Sequence, residues 1–295
     1  DDDDARGDKR SGRAPGEAGL CALRAAVHLV AASARVRATL ARRWCALPTP
    51  AAADELADRA ADDARASAQL ELESVLLHVV VATGTPAGPA PRRLPVQRLA
   101  YELQRASGLD EFGYFKLDAE RLRDATAMAT LLAEMLNEAW SDDPPFVSEV
   151  VGEGGRTAPC AVLHVAGVPD GVEAGLASLR LRALPRTIIV DVGRARRDEL
   201  TGVVTKVAGE CLTSDTLRVR ADQAGGEASG SGAYVEGVYA LRGAVVHRGV
   251  AADRGHHAAL VPGDPKLDGA EKLPPNAAGV LGPWPATALF CCSCA

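Results

Sequence analysis

"YALRGAVVHRGVAADRGHHAALVPG", residues 239–263, holds the most informative pattern in this chain. Apolar residues flank a glycine-containing turn on both sides, which predicts two strands joined as a hairpin. A histidine pair, His256 and His257, opens the second strand directly after Gly255. A histidine there is either a catalytic base or a polar residue at the end of a strand. The rest of the chain has to supply the partners that decide between these two readings.

The composition excludes several classes of protein. A net charge of −6 provides no basic surface for nucleic acid, and no apolar run approaches the roughly 18 residues of a membrane span. Residues 1–15 begin "DDDDARGDKR" and predict a disordered acidic segment, unlike a signal peptide. We expect no nucleic-acid partner and no membrane span.

The cysteines predict an intracellular protein, cytoplasmic or nuclear, whose thiols are reduced. Four of the seven are dispersed and form no C-x-x-C pair, so we expect no metal site and no cofactor. These four are Cys21, Cys45, Cys160 and Cys211. The terminal "CCSCA" places Cys292 four residues from the end, as in lipidation signals, but the residues after it are not aliphatic.

Hydrophobic periodicity divides the chain into a helical lobe over 16–143 and a sheet lobe over 144–290. Before "SDDPP" at 141–145, apolar residues recur at three- and four-residue intervals, and Asp118 is the predicted N-cap of the last helix. After it the period changes to two. The predicted strands are "APCAVLHVAGV", "RTIIVDVGR", "DTLRVRA", "VYALRGAVVHR" and "HHAALV". Helices followed by a mainly antiparallel sheet give an α+β fold.

A cysteine at the start of a helix, with a histidine far downstream on a strand, is typical of papain-like cysteine hydrolases. The helix N-terminus stabilises a thiolate, and an adjacent imidazole accepts and returns the proton. Cys21 begins the first predicted helix, and His256 begins the last predicted strand. The two residues would meet between the helical lobe and the sheet lobe.

At these residues the chain resembles the ubiquitin-specific proteases. The segment "VYALRGAVVHRGVAADRGHH" of this chain closely matches their histidine box, "YxLxGVxxHxGxxxxGHY". "CALRAAVHLVAASARVRATL" matches the helix after the family's cysteine in length and apolar spacing, with few identities. "LRALPRTIIVDVGRARRDELTGVVTKV" is similar to a strand pair of the family's sheet lobe, and "LRDATAMATLLAEMLNEA" to a helix of its helical lobe. The resemblance spans roughly 16–276.

The resemblance implies a papain-like fold with a helical thumb, an antiparallel-sheet palm and short, zinc-free fingers at about 145–180. It implies that Cys21 is the nucleophile and His256 the base. Asp124 occupies the position of an acidic residue that contacts the ubiquitin tail, and His257 that of the family's tyrosine beside the substrate. Ubiquitin or a ubiquitinated protein, together with other protein subunits, are the implied partners.

Several family residues are replaced. Gly16 occupies the position of the asparagine that donates to the oxyanion, and its loss typically costs about 10²–10³ in rate. Pro274 falls where an aspartate orients the imidazole, so Asn276 is the nearest polar substitute. Two hypotheses remain. One is a degenerate ubiquitin-specific protease that serves as a binding or scaffold domain, and the other is a working deubiquitinase in which Asn276 orients His256.

Overall fold

Five helices of ten or more residues and one short helix form the helical part of the described structure. The computed structural model describes residues 20–45, 63–84, 93–107, 124–152, 156–166, 172–193, 195–197, 200–201, 204–206, 216–222, 234–248, 255–261, 270–272 and 288–294. The helices are α1 (Cys21–Ala31), α2 (Ala34–Cys45), α3 (Ala64–Gly84), α4 (Gln97–Ser107), α5 (Ala125–Ala139) and α6 (Val172–Ala177). Within these residues, no helix is both long and apolar enough to cross a membrane.

Helix α1 is the centre of the molecule. All eleven of its residues are buried, including Arg24 and His28. A helix that is apolar nearly all round is stable only when it is covered on every side. Here α2, α3 and α5 cover it together with the sheet. A buried carboxylate ties the covering helices to one another: Glu73 on α3 accepts a hydrogen bond from Trp140 Nε1 at 3.0 Å and lies 3.5 Å from an Arg43 nitrogen.

The strands follow the helices in the chain, apart from α6, as the change of period predicts. They are β1 (Ser148–Val151), β2 (Thr157–Cys160), β3 (Leu163–Ala166), β4 (Leu181–Ala183), β5 (Thr187–Gly193), β6 (Ala195–Arg197), β7 (Val204–Lys206), β8 (Thr216–Asp222), β9 (Tyr234–Arg248), β10 (His256–Val261), β11 (Ala270–Lys272) and β12 (Ala288–Cys294). The fold is α+β, as predicted.

Among the described residues, ten strands form one sheet. Eight follow the order β2-β1-β4-β8-β9-β12-β5-β3, and in addition β10 pairs with β9 and β11 pairs with β10. Most neighbours are antiparallel, and β3–β5, β4–β8 and β10–β11 are parallel. Strand β9 organises the sheet. On one edge of β9, residues 239–245 pair with β12. On the other edge, residues 234–240 pair with β8 and residues 244–248 pair with β10.

The two faces of the sheet belong to two different cores. Ile189, Val245 and Ala259 lie in the core that contains the helices. Their neighbours along the same strands lie in a second core with α6 on the opposite face; these are Ile188, Val190, Ala244, Val246, Ala258 and Leu260. Since successive residues of a strand project to opposite faces, this division assigns a face to every residue of β10 and of the end of β9.

A β-bulge interrupts the alternation in β9. Cys291 pairs with Gly243 and Cys292 with Leu241, so Arg242 is an extra residue on β9. Because of the bulge, Leu241 faces the second core, while Gly243 faces the helices. A Cβ atom at Gly243 would lie 3.1 Å from the Ala32 Cβ, so the glycine permits α1 to approach the sheet closely.

Several sequence expectations are settled by these elements. "HHAALV" coincides with β10. The prediction of Asp118 as the N-cap of the last helix is wrong, because α5 begins at Ala125 and Asp124 caps it. "CCSCA" was read only as a weak lipidation signal, but residues through Cys294 form β12 between β5 and β9. Segments 1–15 and 223–233 lie outside the described residues.

On the helical face of the sheet, a polar group joins β3, β5 and α5. His164 Nδ1 lies 3.0 Å from Asp191 Oδ2, and Thr126 Oγ1 donates to Asp191 Oδ1 at 3.3 Å. The hydrogen bond to Asp191 raises the pKa of His164 above its ordinary value of 6.5, partial burial opposes this, and the aspartate charge adds to it.

We expect Leu23→Ala to lower the free energy of unfolding by about 2–5 kcal/mol, because Leu23 is fully buried in α1 and its loss leaves a cavity. Leu200→Ala is the matched control, since Leu200 is 98% exposed and its replacement should change the free energy by less than about 0.5 kcal/mol. Urea unfolding of both variants measures the difference. Equal effects would contradict a buried α1.

We expect the contribution of His164 to stability to depend on pH. Its pKa is raised in the folded state, so the stabilisation is complete below about pH 6.5 and is lost as the pH rises through the folded value. The loss of melting temperature caused by His164→Gln should therefore be larger at about pH 5.5 than at about pH 9. His78→Gln, at an exposed position of α3, controls for the loss of an imidazole. A loss that grows with pH would contradict the His164–Asp191 interaction.

Candidate functional site

Cys21 is the first residue of α1 and is 5% exposed. The residue before it, Leu20, is the N-cap and has no polar side chain to satisfy the N–H groups of the first turn. These N–H groups and the helix dipole favour a negative charge at this end of the helix. The position therefore suits a thiolate, as the sequence predicts for the nucleophile.

His257 lies directly against the thiol. Its Nδ1 atom is 3.9 Å from Cys21 Sγ, although the two residues are 236 positions apart in the chain. This separation is within the reach of a hydrogen bond that involves sulfur, so a proton can pass between sulfur and nitrogen. Together the two residues form a cysteine–histidine dyad between α1 and β10, the arrangement that activates a thiol nucleophile.

His256 and His257 lie on opposite faces of the sheet. His257 shares its face with Ala259, in the core that holds α1, whereas His256 shares its face with Ala258 and Leu260 in the second core. The sequence expectation made His256 the base and placed His257 beside the substrate. The geometry brings His257 to the thiol of Cys21, and the assignment of His256 as the base stays a prediction.

A second imidazole supports the first. His247 pairs with His257 across the β9–β10 ladder, and the two rings are stacked with their centres 4.5 Å apart at 28°. His247 is 4% exposed, which excludes a solvent-facing position. Gly255 leaves the room that this stack needs, because a Cβ atom there would lie 2.4 Å from His247 Nε2 and 2.1 Å from the Arg248 carbonyl oxygen.

Asp124 is placed at the N-terminus of α5, where its carboxylate has a structural role. Oδ1 accepts hydrogen bonds from the backbone N–H groups of Thr126 at 2.8 Å and Ala127 at 3.3 Å. This is an N-cap, which satisfies two of the otherwise unpaired donors of the helix. The residue is exposed, and contact with a ubiquitin tail stays a prediction.

Asn276, Gly16 and Pro274 lie outside the described residues.

The other described thiols differ from Cys21 in their surroundings. Burial raises the pKa of the Cys160 thiol, and the nearby charge of Glu134 acts in the same direction, so this cysteine is held protonated. Cys45 is exposed at the end of α2. No group of three metal-binding side chains occurs in the part of the chain that the structure describes.

Sequence reasoning missed His257 as the partner of Cys21 and His247 as its neighbour. The motif alone selects His256, since the histidine after the glycine is the base in the family pattern. The hydrophobic pattern of the strand does not show which histidine faces the helices, because both faces of the strand are apolar and buried. The residues concerned are Ala258, Ala259 and Leu260. The available signal was the pair itself: two consecutive histidines on one strand necessarily lie on different faces.

Comparisons with known proteins were made by sequence and by structure. Neither protein families nor characterised proteins match the sequence. Among solved structures, the chain is similar to one in the SAGA DUB module Ubp8/Sgf11/Sus1/Sgf73 bound to monoubiquitin, with a TM-score of 0.55 and 13% identity over 95% of this chain and 68% of that one. The module bound to ubiquitin aldehyde gives the same values. A yeast SAGA module gives a TM-score of 0.56 and 12% identity over 94% and 67%. At this identity the likeness concerns the fold alone.

Proposed function

We propose that this chain is a ubiquitin-specific-protease-like domain that binds ubiquitin or a ubiquitinated protein. It hydrolyses the ubiquitin isopeptide bond slowly or not at all. Its role is then that of a ubiquitin-binding or scaffold component in a larger assembly. The observation that carries the proposal is the dyad of Cys21 and His257 in a fold whose solved neighbours are described as bound to monoubiquitin or ubiquitin aldehyde. Those structures also contain Sgf11, Sus1 and Sgf73, which supports protein subunits as further partners.

Impaired hydrolysis follows from the residues that the family uses and this sequence replaces. Gly16 has no side chain to donate to a developing oxyanion, a loss of about 10²–10³ in rate. The side chain of Pro274 cannot accept a hydrogen bond from an imidazole N–H, and the loss of the orienting carboxylate costs about 10⁴ in a related triad. Such losses slow the chemical step. They do not remove the rest of the surface, which would still bind the ubiquitin tail.

A working deubiquitinase is the second candidate, and the contact between Cys21 and His257 favours it. In that case the Cys21 thiolate attacks the isopeptide carbonyl carbon, the carbon–nitrogen bond breaks, and the imidazole gives the proton to the leaving amine. Water then hydrolyses the thioester and restores the thiol. The sequence-based version of this mechanism assigns the proton transfer to His256, oriented by Asn276.

The first test uses ubiquitin that carries a thiol-reactive electrophile at its C-terminus. We expect a covalent adduct that disappears in Cys21→Ala and persists in Cys45→Ala, because Cys21 lies beside an imidazole at a helix N-terminus, whereas Cys45 is exposed at the end of α2. Mass spectrometry of the intact protein and of its peptides identifies the modified thiol. Ubiquitin that lacks its C-terminal glycines is the control for recognition of the tail.

Turnover separates the two candidates. Release of a fluorescent leaving group from the ubiquitin C-terminus should be at least about 10²-fold slower than for an intact family member if the oxyanion donor is absent. An adduct with such slow turnover supports the ubiquitin-binding domain, and an adduct with ordinary turnover supports the working enzyme. A folded protein that gives neither an adduct nor measurable ubiquitin binding contradicts both.

A further inference from the structure

We infer that His257, and not the His256 that the family motif selects, is the proton-transfer partner of Cys21, and that His247 is a positioning residue for its ring. The inference rests on the proposed function, in that it treats Cys21 as the reactive thiol of a ubiquitin-specific-protease-like site. It concerns the chemistry of the dyad and does not depend on which protein binds there.

The assignment of His257 rests on one distance and on two packing positions that agree with it. Cys21 Sγ lies 3.9 Å from His257 Nδ1. Ala259, two residues further along β10, lies in the core around α1, which fixes the face of His257. Finally, Val245 of the adjacent strand β9 lies in that same core, so β9 and β10 present one continuous face to the helix.

His256 is excluded from this contact by the same alternation. It pairs with Arg248 in the ladder, and its side chain shares a face with Ala258 and Leu260 in the core on the other side of the sheet. A strand cannot present two consecutive side chains to one face without a bulge between them. The pairing of β10 with β9 is regular from His256 to Leu260, so no bulge intervenes.

His247 acts on Cys21 through His257. It lies directly opposite His257 in the ladder, and the two rings are stacked at 4.5 Å. Stacking on a buried ring restricts rotation of the His257 side chain and keeps its Nδ1 toward the sulfur. A carboxylate in this role would fix both the plane of the ring and the position of its proton, whereas a stacked ring fixes only the plane.

The proton balance of the dyad is simple. The thiol proton passes from Sγ to Nδ1, which leaves a thiolate at the helix N-terminus and an imidazolium stacked on His247. When the thiolate attacks an alkylating agent such as iodoacetamide, a sulfur–carbon bond forms and iodide leaves. This reaction needs no oxyanion donor and no ubiquitin, so it reports on the dyad alone.

The test measures the rate of Cys21 alkylation by iodoacetamide in the full chain between about pH 5.5 and about pH 9. We expect His257→Gln to shift the profile to higher pH and to lower the rate at about pH 6.5 by about tenfold or more, because the thiolate loses its cationic partner. His256→Gln should follow the profile of the unmutated chain. His78→Gln controls for the loss of an imidazole at an exposed position of α3.

His247 is tested with a pair of variants. His247→Phe keeps an aromatic ring for the stack and should retain most of the profile, while His247→Leu should move it toward that of His257→Gln. A residue that only filled space would give the same pH profile with either replacement. Thermal unfolding of each variant confirms that it is folded.

The unmutated chain provides a measurement that does not depend on the folding of any variant. Blocking Cys21 with methyl methanethiosulfonate forms a disulfide and releases methanesulfinate. The imidazole signal of His257 in a carbon–proton NMR spectrum should then change more than that of His256. A larger change at His256, or a shifted alkylation profile in His256→Gln alone, overturns the inference. An unchanged profile in every variant overturns it as well.

The inference and the proposed function can fail separately. A normal dyad profile with neither a ubiquitin adduct nor measurable ubiquitin binding would contradict the proposed function and leave the assignment of His257 standing. A ubiquitin adduct on Cys21 with a profile governed by His256 would support the function and overturn the assignment.

Discussion

The close approach of α1 to the sheet is the constraint on which the rest of the structure depends. Every residue of the helix is buried, so it needs cover from α2, α3 and α5 on one side and from β9 and β10 on the other. Gly243 permits that approach, because a side chain there would press against Ala32. The same packing brings the N-terminus of the helix, and with it Cys21, to the beginning of β10. The thiol meets an imidazole as a consequence of how the core closes.

Much of this arrangement follows from the pattern of the sequence. The change from helical to strand periodicity after "SDDPP" gives the α+β order, and "HHAALV" gives the limits of β10. The last strand was harder to predict. "ALFCCSC" lacks β-branched residues, and only its pairing with β5 and β9 over most of its length shows why it is extended. Asp118 was chosen as the helix cap from sequence alone, although Asp124, six residues later, is an equally good capping residue and is the one that caps.

The sequence pattern singles out the cysteine of the dyad and does not single out the imidazole that faces it. Cys21 could be identified because a cysteine at the start of an apolar helix is a local feature. The facing imidazole depends on long-range pairing, because the extra residue Arg242 in β9 reverses which residues face the helix. Strict alternation from Tyr239 and Leu241, both in the second core, would have placed His247 on the wrong face. A bulge of this kind re-aims side chains without leaving a mark in the hydrophobic pattern.

The stack of two histidines explains how a thiol site can keep one part of its chemistry and lose another. Attack by a thiolate needs an imidazole that takes up the proton, and the contact between Cys21 and His257 provides it. Release of the amine and hydrolysis of the thioester need more: a donor for the oxyanion and an imidazole whose proton is held on the correct nitrogen. Stacking on His247 restrains the plane of the His257 ring and does not by itself fix which nitrogen carries the proton. Under the proposed function, trapping by an electrophile and catalytic turnover are therefore separable properties, and the replacements that separate them are Gly16, near the cysteine in the sequence, and Pro274 at the position of the orienting carboxylate.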